Sequence, residues 1–150
     1  MKTILCTRIN LLGGLACLVL ATCGCNSFHQ QWTKMAADSP LPHELVGRWQ
    51  GTWSSDPSGH TGPLRCILTK VGETGYQARY HAGYFKILTA DYTVSLELEQ
   101  EDDGWEFSGE TNLGWLMGVY RHKGQIRGEH YRAEYTSKHD HGVMDMRKVE

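Results

Sequence analysis

Tyr76, Tyr80, Tyr84, Tyr92, Trp105, Phe107 and Tyr120 are the residues whose types and spacing point most directly to a binding chemistry. Most of them alternate with polar neighbours, so a side-chain period of two gathers them on one surface. A phenol presents an apolar body and a polar tip that wants a partner when buried, which suits an amphiphilic molecule. Rings of this kind also fill protein cores. Two readings therefore stand side by side. In one, Tyr80, Tyr84, Tyr92, Trp105, Phe107 and Tyr120 contact a small apolar or amphiphilic ligand. In the other, they pack the interior and the protein acts through its outer surface, as an interaction or structural module.

Other chemistry is weaker. His81, His122, His130, His139 and His141 fall in the later half of the chain. An extended His139-Asp140-His141 would set two imidazoles on one side, the beginning of a metal site. No third ligand is fixed by spacing, so the stretch reads as a polar loop with no metal and no cofactor. Glu97, Glu99, Glu101, Asp102 and Asp103 lack calcium-loop spacing and read as a solvated hairpin end. No nucleophile elbow, zinc-protease helix, phosphate loop or dinucleotide fingerprint is present, and the expectation is a binding protein, not an enzyme.

These residues occupy one domain of a 150-residue chain. Residues 1–22 read as a signal peptide, with Lys2 and Arg8 ahead of an apolar run from Ile9 to Ala21 that is too short to span a bilayer comfortably. The run ends in Leu20-Ala21-Thr22-Cys23, which resembles a bacterial lipoprotein box and makes Cys23 the lipidation site. Cleavage before Cys25, after Gly24, is the second option. Residues 23–42 read as lipid anchor site and flexible tether, with Trp32 and Met35 apolar enough to touch membrane or barrel, and residues 43–150 as the folded domain. The implied address is the cell envelope, on the periplasmic face or the cell surface, with the membrane as one partner and an envelope protein as another. Cys66 alone remains in the body, either as a small buried residue or paired with Cys25. Loss of the leader moves the formal net charge from −2 to −4, and no stripe of Lys or Arg remains, so nucleic acid is not expected.

The elements that position the aromatic rings begin at Gly47-Arg48-Trp49-Gln50-Gly51-Thr52-Trp53. As a strand, it sets Gly47, Trp49, Gly51 and Trp53 on one face. A single helical turn over 41–46 leads into it. Strands follow over 64–71 and 76–84, with Gly83 as a bulge, then over 92–99 and 105–110, with Asp103-Gly104 as a hairpin signature. Residues 115–122 read as a strand apolar on both faces, so Trp115, Met117 and Val119 would form a partner surface if uncovered. Lys123-Gly124 reads as a turn, 125–135 as a strand bulged at Gly128, 137–142 as a polar loop and 143–149 as the last strand. Short connections make neighbours antiparallel. The fold expected is all-β, an antiparallel meander of about eight strands closed into a barrel, since a sandwich would need a long crossover.

With the double Gly-x-Trp in place, the chain resembles the calycins, the lipocalin and avidin-like barrels, carried in a bacterial lipoprotein. Gly47-Arg48-Trp49 matches their first-strand mark, and Gly51-Thr52-Trp53 leaves open which indole corresponds. The resemblance implies that a basic residue of the last strand packs across that indole. Trp49, Trp53 and Arg147, with Lys148 as substitute, are then the structural closure. It also implies a ligand in the barrel mouth.

Overall fold

Trp49 and Trp53 both point into the molecule with Gly51 between them, as a strand period of two requires. The computed structural model describes residues 27–36, 45–85 and 87–150. The expected signal peptide, Cys23 and Cys25 lie outside these. The described elements are α1 (27–36), β1 (Gly47–Ser55), β2 (Thr61–Val71), β3 (Gly75–Tyr84), β4 (Leu88–Glu101), β5 (Gly104–Asn112), α2 (Gly114–Met117), β6 (Val119–Arg127), β7 (His130–Thr136) and β8 (His141–Val149).

Each strand pairs antiparallel with the next, and β8 returns to β1, which gives a closed eight-stranded barrel. The closing ladder runs from Arg48 opposite Val149 to Ser55 opposite Gly142. Closure leaves neither end strand with an open edge, so their N–H and C=O groups are not left as a template for aggregation. Gly51 makes the close approach of β8 feasible, because a Cβ there would stand 1.9 Å from the Asp145 carbonyl oxygen.

Parity also decides which basic residue meets the indole. Along β8, Met144, Met146 and Lys148 face inward, while Arg147 is exposed opposite Gln50. The Lys148 ammonium lies 5.6 Å from the Trp49 ring centre. The expected Arg147 closure is therefore corrected to Lys148, one residue on, because a strand turns alternate residues to opposite faces. Such a contact is worth roughly 0.5–2 kcal/mol.

Further expectations are revised by packing. The supposed turn at Lys123-Gly124 lies inside β6; Gly124 is there because a Cβ would meet the Phe107 ring at 2.7 Å. The real turn is Gly128-Glu129, with Gly128 at φ 55°, so β6 and β7 form a hairpin, and no bulged single strand runs over 125–135. Gly83 stays in register with Thr89 and forms no bulge; its bare Cα lets Pro63 approach. Residues 115–122 do not form one strand. A helical turn over Gly114–Met117 ends at Gly118, at φ 74°, and β6 starts only at Val119.

Another revision concerns the tether. Within 23–42, residues 27–36 form α1, whose Phe28, Trp32 and Met35 recur at helical spacing and lie on one face. That face covers Ile67, which points outward from β2 between inward Cys66 and Leu68. Arg48 and Arg65 each sit 5.2 Å from the Trp32 ring, and Arg79 sits 5.4 Å from Phe28. Of the helical turn expected over 41–46, residues 41–44 lie outside the described set, and Leu45 and Val46 are not helical. Leu45 instead plugs one end of the barrel and accepts a hydrogen bond from Trp49 Nε1 at 3.2 Å.

The barrel thus has two unlike ends. Tight turns after β2, β4 and β6 share one end with Leu45. The connections after β1, β3, β5 and β7 form the other, which is the mouth.

Candidate functional site

The floor of the barrel is filled. Trp49, Tyr80, Ile126, Tyr131 and Met146 are buried there, with Phe107 against Tyr131 at 4.8 Å between ring centres. The Tyr80 and Tyr131 hydroxyls bond to each other at 2.5 Å, so each phenol has a polar partner inside an apolar core. Burial pushes both phenols, and that of Tyr92, well above their ordinary range. Cys66 is a free, buried thiol in the same interior, and burial raises it as well.

His122 stands above this floor, stacked on Tyr80 at 5.4 Å and on Tyr92 at 5.8 Å. Neither ring nitrogen finds a hydrogen-bond partner among the described residues. Burial lowers its pKa from 6.5 to about 4, so the ring is neutral at ordinary pH. Higher still, Trp53, Tyr84, Tyr92, Tyr120 and Met117 surround a hollow of only about 20 Å³. That is room for about one water. A ligand pocket takes roughly 300–1,000 Å³, so this hollow, as the described residues enclose it, is too small to be one.

The space is at the rim. A half-open cleft of about 730 Å³ starts where the β1–β2, β3–β4 and β7–β8 connections meet and runs down the outer face of β2 and β3 past Pro63, Arg65 and His81. Its apolar wall is Trp53, Tyr84, Phe85 and Leu88. Trp53 is fixed by a hydrogen bond from Nε1 to the Gly83 carbonyl at 3.0 Å and packs on Tyr84 at 4.6 Å between ring centres. His60 meets Phe85 edge-on at 4.9 Å.

The polar end of the cleft is a fixed carboxylate. Ser55 Oγ donates to Asp140 Oδ1 at 2.6 Å, and Ser58 Oγ lies 2.8 Å from Ser55 Oγ. The Tyr135 hydroxyl lies 3.2 Å from Asp140 Oδ2 and equally near the Ser54 carbonyl. Ser137 Oγ accepts from the Asp140 backbone N–H at 3.0 Å and orders the loop. Burial first, then the Asp140 charge, pushes the Tyr135 phenol up, so it stays a donor. Asp140 retains acceptor capacity beyond its two hydrogen bonds. The arrangement can hold an apolar body against the aromatic wall and a hydroxyl or amine against Ser58 and Asp140.

The expected contacts divide by height. Tyr84 lines the cleft, with Trp53 beside it. Tyr92 and Tyr120 line the small hollow beneath. Tyr80 and Phe107 belong to the packed floor, and Trp105 stands at the opposite end near Leu45 and Lys148. Ser55, Ser58, Tyr135 and Asp140 were not among the expected contacts. Their signal lies in two polar stretches, Ser54-Ser55-Asp56-Pro57-Ser58-Gly59-His60 and Ser137-Lys138-His139-Asp140-His141. These follow β1 and precede β8, so closure of the barrel brings them together. Of the two histidines flanking Asp140, His139 is exposed, and His141 lies 4.0 Å from Asp56.

No protein-family description and no curated protein matches the chain. Two solved structures are similar to it. One is a variant of the fluorescent protein UnaG, with 8% identity and a TM-score of 0.41 over 73% of this chain and 99% of that one. The other is fatty-acid-binding protein 1 of Echinococcus granulosus, with 12% identity and a TM-score of 0.38 over 71% and 98%. The chain is a calycin-like barrel by its own topology: eight antiparallel strands in sequence order, closed between the first and the last.

Proposed function

We propose that this protein is an exported, lipid-anchored barrel that binds a small amphiphilic molecule in the cleft at its mouth, without chemistry of its own. One observation carries the reading: a cleft of ligand size joins an aromatic wall to a carboxylate held in place by Ser55 and Tyr135. The filled floor confines binding to the rim and leaves the interior as a rigid support. A rigid support reduces the ordering that binding must pay for. The acylated residue in this reading is Cys23.

Native mass spectrometry of the protein drawn from its own envelope is the test. A bound molecule should travel with the chain and be lost from Trp53→Ala, whose wall is cut back, while Trp115→Ser retains it. A chain that arrives bare, or the same molecule retained by Trp53→Ala, overturns the cleft as its site. The packed interior also favours a second reading, a module acting through its outside. A stoichiometric envelope protein in the same spectrum, with no small molecule, supports that one instead.

A further inference from the structure

Among the described residues, seven large apolar side chains stand in solvent, and six are at the mouth end. Phe85, Ile87 and Leu88 form one lip at the β3–β4 turn, with Ile87 84% exposed. Trp115, Leu116 and Met117 form a second on α2, with Trp115 96% exposed. Placing two such lips in water is unfavourable, and they project as two separate edges rather than one flat patch.

Charge divides the two ends as well. The turns at the closed end carry Glu73, Asp102, Asp103 and Glu129 and no base. Among the described residues, the connections at the mouth carry Asp56 and Asp140 against Lys138, with His60 and His139 beside them. Arg127 pairs with Asp103 at the closed end, but the turns there keep the larger acidic excess, so an anionic surface repels the first end more than the second.

Chain length adds a third observation. Ser27 opens α1 and accepts a hydrogen bond from Arg79 of β3 at 2.7 Å, and Phe28 stacks on His81 at 4.9 Å. His81 lies four residues before Phe85, about 13 Å along an extended chain. Cys23 lies five residues before Phe28, a reach of at most about 18 Å. An acyl group on Cys23 can therefore enter the same plane as the first lip.

We propose that the mouth end is a membrane-docking face. The two lips enter the interfacial layer of a bilayer with the mouth turned toward lipid, and Trp115 serves as the interfacial indole. The cleft then opens beside the bilayer. The leash argument, but not the lips or the charge, rests on the reading of Cys23 as acylated.

The test uses the full-length protein from its own membrane in vesicles of phosphatidylcholine and phosphatidylglycerol with brominated or plain acyl chains. Trp32, Trp49 and Trp53 are buried and Trp105 sits at the other end, so Trp115 is the indole a brominated chain can reach. Brominated vesicles should lower tryptophan emission, and Trp115→Phe should abolish the difference. The double variant Phe85→Ser, Leu116→Ser should reduce it at least about twofold. Equal emission in both vesicles, with the protein still floating with lipid, overturns the docking face and leaves a protein as the occupant of the lips. Intact mass of the same sample reports acylation separately. A Cys23→Ser full chain that is still quenched, more weakly, shows that the lips bind lipid without the anchor.

Discussion

His122→Phe tests the interior most sharply. In the folded chain the imidazole packs against both Tyr80 and Tyr92, which also touch each other, and its pKa falls from 6.5 to about 4 through burial. The unfolded chain therefore binds more protons between those two values. Stability is complete above the unfolded pKa and is lost as pH falls toward the folded one. The full loss, over the whole interval, is about 3 kcal/mol, and the fall from about pH 7.5 to about pH 5 is about 2 kcal/mol. A phenyl ring keeps the stacking and removes the titration. At about pH 7.5 the variant should lie within about 3 kcal/mol of the parent, since the phenyl ring is larger than the imidazole and must be fitted into a packed site. At about pH 5 its stability relative to the parent should have risen by about 2 kcal/mol. Urea unfolding across that range, followed by tryptophan emission, measures both chains. Other titrating groups cancel in the difference. A difference that does not change with pH refutes the reasoning, because His122 would then titrate alike in folded and unfolded chains.

Two further outcomes follow from the closing seam. Trp49→Ala removes a fully buried indole with a hydrogen bond to Leu45 and should cost about 3–5 kcal/mol in urea unfolding; a loss under about 1 kcal/mol would show the residue is not core. Gly51→Ala sets a methyl 1.9 Å from the Asp145 carbonyl oxygen, so β1 and β8 must part. It should cost about 1–3 kcal/mol and speed hydrogen exchange of the β1 and β8 amides first, and unchanged exchange there would show that the seam has slack.

The amino-acid sequence determined the class of fold. Alternation in 76–84 and 92–99, short turns and the double Gly-x-Trp sufficed for an antiparallel meander that must close, because these are local features of a period-two chain. It placed Trp49 and Trp53 inside, but it selected Arg147 where strand parity selects Lys148. Tertiary structure decided what local pattern cannot carry. Phe28 and Trp32 become a helix face because Ile67 of β2 needs cover. Gly124 reads as a turn residue until Phe107 is seen to occupy its space. Whether the inward tyrosines line a void or fill one depends on side-chain volumes summed around a closed ring, and a strand's own alternation is the same in both cases. The rim site was beyond local reading for the same reason. Ser55 and Asp140 are 85 residues apart in the chain, and only the pairing of β1 with β8 brings them to 2.6 Å.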